Sequence, residues 1–244
     1  MLYWHYIKGK LINLMQPYVA LFFAVICVTS AHGATIGERY VGKKYINNPL
    51  GEGFLPDNDP LMRLDAFDCT TFVETALANE NLDKLTKIRY KDGNVGFINR
   101  NHFVETDWLP NNSDILTDVT AQYGKTSVRD VKIDRANWLE KNYGITDNTP
   151  IQTIHLKYIP YSIMEKIKPN EPLVVLFIGD KYKNIDTLGT DLAVLHMGFL
   201  LPDGTLRHAS SDRGRVVDVN FYDYVEKRKN SPHNLGIMLL EPKK

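Results

Sequence analysis

Cysteine is the scarcest feature of this sequence: 2 in 244 residues, Cys27 and Cys69. A pair so placed rules out a disulfide-stapled scaffold, because nothing links the many remaining segments. Net charge is also missing, with 29 basic residues against 29 acidic ones. Without a basic stripe to neutralise phosphates, nucleic acid is excluded as the expected partner. No apolar run approaches the roughly 20 residues that a spanning helix needs. There is no His-Glu-x-x-His or Cys-x-x-Cys element of the kind that announces a zinc site. Internal repeats, low-complexity tracts and composition breaks are absent, so nothing suggests a second domain.

The N-terminus departs from this plain composition. Lys8 and Lys10 come with no acid, and the run YVALFFAVICVT (Tyr18 to Thr29) is followed by SAHGA, with Ala31 and Gly33 in an Ala-x-Gly pattern. A basic flank, a short apolar core and small residues describe a secretory signal peptide over residues 1–34, cut near Gly33 or Ala34. Pro17, Gln16 and Asn13 interrupt any longer anchor, and Val25 and Ile26 before Cys27 argue against a lipoprotein cysteine. The expected product is an exported, periplasmic or secreted single domain, residues 35–244, monomeric and free of the membrane. It carries 27 basic and 29 acidic residues. Cys69 is then alone, and a solitary thiol in an exported protein is open to three fates: intermolecular pairing, inert burial or reactivity.

Its surroundings favour chemistry. After Cys69, the positions Phe72, Val73, Ala76 and Leu77 follow a helical period, and Asp68 stands where an N-cap would. The thiol therefore falls in the first helical turn. There the unpaired N–H groups and the helix dipole are expected to lower its pKa and could hold an oxyanion. Such a nucleophile needs a base. AVLHMGFLLPDGTLRHASS (Ala193 to Ser211) offers His196 and His208 on two strands around the turn Pro202-Asp203-Gly204. A two-residue loop would send the histidines to opposite faces. The three-residue loop, favoured by the Pro-Asp-Gly composition, pairs Leu201 with Thr205 and sets His208 opposite Gly198. His196 and His208 then become diagonal neighbours about 7–8 Å apart at the backbone. In that register Cys69 is the nucleophile, His196 its base and His208 the group that orients the base.

DCTTFV (Asp68 to Val73), HMGFL at His196 and the position of His208 resemble the NlpC-type superfamily of papain-like cysteine peptidases and amidases. NPLGEG (Asn48 to Gly53), DPLMRLDAFDCTTFVET (Asp59 to Thr75), INRNHFVETDW (Ile98 to Trp108) and LRHASSDRGRVVDV (Leu206 to Val219) narrow the likeness. Within that superfamily they resemble the N-acetylmuramoyl-L-alanine amidase-like family, over about Tyr45 to Leu240. The resemblance implies an α+β papain-like fold in which the cysteine helix packs on an antiparallel sheet carrying both histidines. It also implies hydrolysis of the amide between N-acetylmuramic acid and L-alanine in peptidoglycan fragments, without a cofactor or metal. One departure is visible: the tyrosine that many superfamily members carry about a dozen residues before the cysteine is missing from Asp57 to Asp68.

Further residues are candidates for holding a muropeptide. Arg100 can pair a carboxylate, and Trp108 can either face a sugar or plug the core. Asp107, Thr70, Glu52 and Asp191 are additional pocket candidates. Asp68 has two roles open to it, as cap alone or also as partner of a peptide ammonium. His102 and Asn112 read as structural, and His155 and His233 as surface residues. Leu173 to Gly179 reads as a buried strand, a helix should begin near Asp134, and NLGIMLL should form a last strand. Three rival readings remain: a zinc amidase using Cys69, His196 and His208 as ligands, a γ-D-glutamyl endopeptidase, and a silent module that binds cell-wall peptides.

Overall fold

Leu173–Gly179 reads LVVLFIG, and every residue of it is buried. A strand apolar on both faces must lie inside a sheet covered on each side. The computed structural model describes residues 35–180 and 184–243; the expected leader over residues 1–34, with Cys27, lies outside them. Among the described residues, β1 is Lys44–Tyr45, β2 Ala66–Phe67, β3 Leu116–Asp118, β4 Ser127–Ile133 and β5 Gln152–Pro160. β6 is Leu173–Gly179, β7 Val194–Leu200, β8 Thr205–Ser210, β9 Arg215–Asn220 and β10 Asn234–Pro242. They form one sheet in the order β2-β1-β9-β8-β7-β6-β10-β5-β4, with β3 also paired to β10. All pairings are antiparallel except β1 with β2. With helices on this mostly antiparallel sheet, the architecture is α+β, and the expected strands at Leu173 and near the C-terminus are both present.

Alternation along β6 divides its side chains between two cores. Val174, Leu176 and Ile178 join Met197 and Phe199 of β7 on one face. The cysteine helix, Cys69–Ala78, covers that face with Phe72 and Val73. Phe72 meets Phe199 edge-on, with ring centroids 5.7 Å apart. On the other face Leu173, Val175 and Phe177 join Leu200 and Leu206 beneath the helix Phe221–Arg228, which contributes Phe221 and Val225. Each such buried side chain contributes about 1.5–3 kcal/mol relative to exposure, so both helices are held mainly by these stripes.

The cysteine helix starts where its first residues dictate. Asp68 Oδ1 accepts the Thr71 N–H at 2.8 Å, while Thr71 Oγ1 accepts the Asp68 N–H at 3.0 Å, a reciprocal capping box. The helix stops at Ala78 because Asn79 turns left-handed, with φ 50°, and Asn81 then caps the next helix, Leu82–Arg89. Neither glycine nor proline marks that break in the sequence; asparagine makes it. The helix expected near Asp134 is Arg135–Tyr143, with Asp134 accepting the Asn137 N–H.

The turn between β7 and β8 has the three-residue form. Leu201 N–H donates to the Thr205 carbonyl at 2.8 Å, and Phe199 and Leu200 face Arg207 and Leu206. Gly204 takes φ +87°, a conformation that penalises any side chain. Continued along the strands, this register sets Gly198 against His208. A β-carbon at Gly198 would lie 2.8 Å from the His208 β-carbon and 2.7 Å from the Arg207 carbonyl. Only glycine lets the second histidine stand there.

Candidate active site

His196 Nε2 lies 2.8 Å from His208 Nδ1, with the rings nearly perpendicular at 86°. The pair therefore shares one proton-bearing contact, and the strand register puts it together. His196 stands opposite Phe177 in the ladder, so the imidazoles belong to the face covered by Phe221–Arg228. Tyr224 of that helix stacks over His196 at 6.1 Å and meets His208 edge-on at 5.1 Å.

Cys69 comes from the opposite face, where its helix packs. β7 and β8 pair at Leu200–Leu206 and Phe199–Arg207. One more step of the ladder would join the Met197 N–H to Ala209. That N–H acts instead on the Cys69 thiol, favouring its charged form, one residue along the strand from His196. Thr70 Oγ1 lies 3.9 Å from the sulfur. Tyr224 also feels the charge of Cys69, which puts the sulfur within electrostatic reach of the ring that backs both imidazoles.

The electrostatics differ from the sequence expectation. Burial, reinforced by the Asp68 carboxylate, pushes the Cys69 thiol up to about 11, although the Met197 N–H and Thr70 act the other way. The cap that starts the helix places a negative charge beside the sulfur, and this with desolvation outweighs the helix terminus. His196 is pushed down to about 3 by burial, with His208 and Arg228 adding to it. His208 falls to about 4 through burial and Arg228, against the opposing pull of Asp212 and Asp218. The resting site thus holds a neutral thiol and neutral imidazoles rather than an ion pair.

Two side chains that support the candidate site had no sequence signal. Tyr45 on β1, opposite Phe67, is close enough to Cys69 and Asp68 for both charges to act on its phenol, which burial also pushes up. It occupies the surroundings of the thiol from far upstream, where the Asp57 to Asp68 segment supplies no tyrosine. Glu105 lies in a π-helical turn, Val104–Trp108, and accepts the Ala193 and Val194 N–H groups at 2.7 and 2.8 Å. It pins the start of the strand that carries His196. Aspartate after an extended segment signals a cap, but no local pattern announces a contact spanning so much sequence.

Several expected pocket residues prove structural. Trp108 is fully buried and donates its Nε1 to Glu74, so it plugs the core and offers no face to a sugar. Arg100 holds Glu52 through two hydrogen bonds and Asp57 through a third, so its Nε and Nη2 and the Glu52 carboxylate are already engaged within the fold. That cluster continues through Asn48, which donates its side-chain amide to Asp57 and its backbone N–H to Asp68. It braces the loop beside the cysteine helix. Asp107 binds Arg135 and the Phe103 N–H, and buried Asp191 binds Arg129. His102 bonds the Phe97 carbonyl, and Asn112 clasps the Ile88 and Trp108 carbonyls, both as expected of structural residues. Asp68 and Thr70 alone among the proposed binding residues adjoin the thiol.

Grooves of about 610, 530 and 510 Å³ include none of Cys69, His196 and His208. Among the described residues no three His, Cys, Asp or Glu side chains form a metal-binding group, and no helix is long and apolar enough to cross a membrane.

Comparison with known proteins adds what geometry alone does not. A Legionella pneumophila protein of known structure is 27% identical, with 86% of this chain and 87% of that one covered and a TM-score of 0.77. An N-acetylmuramoyl-L-alanine amidase from Bacteroides uniformis is 25% identical over 87% of this chain and 100% of its own, with a TM-score of 0.65. Curated protein sequences yield no match. The profile described as N-acetylmuramoyl-L-alanine amidase-like matches residues 35–236, and the chain belongs to that family.

Proposed function

We propose that this protein is a cysteine-dependent peptidoglycan hydrolase that cuts the amide between N-acetylmuramic acid and L-alanine in soluble wall fragments. The observation that carries the reading is the 2.8 Å contact between His196 and His208, with the Cys69 thiol under the influence of the N–H of the next residue, Met197. Family membership and the likeness to the Bacteroides uniformis amidase support the choice of bond. The productive tautomer has His196 donating from Nε2 to His208 Nδ1, which leaves His196 Nδ1 free to take the thiol proton. Because both groups rest neutral, proton transfer accompanies attack rather than preceding it.

In the first half-reaction the sulfur bonds to the lactyl carbonyl carbon and its proton passes to His196. His196 then protonates the alanine nitrogen, the C–N bond breaks, and the peptide leaves with its new amine. The resulting thioester is opened by water, whose proton His196 takes and returns to the sulfur. Tyr45 and the N–H groups opening the cysteine helix are the donors available to the tetrahedral oxyanion. An NlpC-type papain-like ancestry and action outside the cytoplasm complete this reading, the latter resting on the leader-like N-terminus.

Mass spectrometry of the products from a defined muropeptide tests it. Release of the intact stem peptide is expected, with Cys69→Ala inactive and its melting temperature close to the parent's. A diamino-acid fragment would instead identify a γ-D-glutamyl endopeptidase. Stoichiometric zinc with chelator-sensitive turnover would replace the cysteine mechanism, and binding without turnover would leave a muropeptide-binding module.

A further inference from the structure

The helix Phe221–Arg228 does more than cover a core. Arg228 sits one turn beyond Tyr224 and lays its guanidinium 3.9 Å from the centroid of the same ring that backs His196 and His208. Beside them opens a pocket of about 210 Å³, lined by His208, Tyr224 and Arg228 together with Lys227 and Arg213. Asp212 and Asp223 also line it, so cations exceed carboxylates by one. Arg89, Arg100, Arg129, Arg135 and Arg207 are each paired with an acidic side chain. Among the described residues Arg213, Lys227 and Arg228 are in no ion pair. The volume suits one functional group rather than a whole muropeptide. A guanidinium fixed on an aromatic face presents a planar fork matched to a carboxylate.

We propose that this pocket is a carboxylate subsite, in which Arg228, held by Tyr224, receives a carboxylate of the substrate's peptide portion while Cys69 attacks the scissile amide. The inference rests on the hydrolase reading above and adds the group by which the peptide is recognised. It also links recognition to chemistry. After burial, the Arg228 charge is among the influences that lower the proton affinity of both imidazoles. A carboxylate docked on Arg228 offsets that charge, so His196 becomes a better base once substrate is in place.

Two synthetic muropeptides, one with free peptide carboxylates and one with carboxamides, test the subsite. The parent protein should favour the free acid in kcat/KM by about 10–100-fold, the range of a charge-assisted pair. Arg228→Gln should remove the preference, and Arg228→Lys, which keeps the charge, should restore part of it. Equal rates on the two substrates in the parent, or an unchanged preference in Arg228→Gln, would overturn the proposal. Glutarate titration of Cys69→Ala, followed by NMR at His208 and Tyr224, reads the pocket without turnover. Saturable shifts that vanish when Arg228→Gln is added support the subsite even if no muropeptide is cut, in which case only the hydrolase reading falls. No shift, or one that survives Arg228→Gln, sinks the subsite while leaving that reading intact.

Discussion

A single sulfur shows how neighbouring groups compete. Met197 and Thr70 act to lower the pKa of Cys69, yet burial and Asp68 push its thiol up to about 11. Its thiolate fraction should therefore climb across the alkaline range. Iodoacetamide alkylation of Cys69 is expected to accelerate steadily from pH 7 to 10. A rate already level between pH 6 and 8 would reveal a standing thiolate–imidazolium pair and reverse the assignment. At this scale the meeting of His196 and His208 and the helix start at Cys69 were legible. Asp68 signals a helix start, and the parity of the Pro202–Gly204 loop decides whether two histidines share a face. The charge state was not legible, because desolvation depends on atoms brought from the rest of the chain. Nor were the partners of Arg100 or Asp191, since nothing local distinguishes an arginine awaiting a ligand from one that holds a distant glutamate.

Elements were readable wherever a stripe or a continuous apolar run dictated them, as with the cysteine helix and β6. The supports between elements were not. Glu105 illustrates the gap: its carboxylate holds two backbone donors at the start of β7 from a π-helical turn far away in sequence. Glu105→Ala leaves both donors buried without an acceptor and should cost about 2–4 kcal/mol. Glu105→Gln, which keeps one acceptor oxygen, should cost less. Urea unfolding of the two variants checks this, and identical midpoints would show that the carboxylate does not anchor the strand. Trp108 was ambiguous for a related reason. A tryptophan among polar residues reads equally as platform or plug until the Glu74 carboxylate that receives its Nε1 is seen.

Among the described residues three histidines, His208 buried and His102 and His196 half-buried, are held in neutral form. His102 is pushed down to about 3 chiefly by burial, alongside His196 at about 3 and His208 at about 4. Unfolded, each would titrate near pH 6.5. Below that value the unfolded chain binds protons that the folded one refuses, so their contribution to stability is full above about pH 6.5 and drains away as pH falls towards 4. Buried Glu74 and Glu105, pushed up by burial, act in the opposite sense near the carboxylate range, so the histidine share must be isolated by comparison. His102→Gln, remote from the proposed chemistry, should flatten the fall of melting temperature between pH 6.5 and 4. An unchanged slope would count against neutral burial of that ring.

The early parting of β7 from β8 carries one more consequence. A backbone amide that an ordinary sheet would spend on its neighbour is left to bear on a sulfur atom. Zipping the hairpin a step further would commit the Met197 amide to Ala209 and take its influence from the thiol. On the proposed mechanism reactivity depends on an unfinished seam, and a substitution that tightened it is expected to silence the protein while making its scaffold firmer.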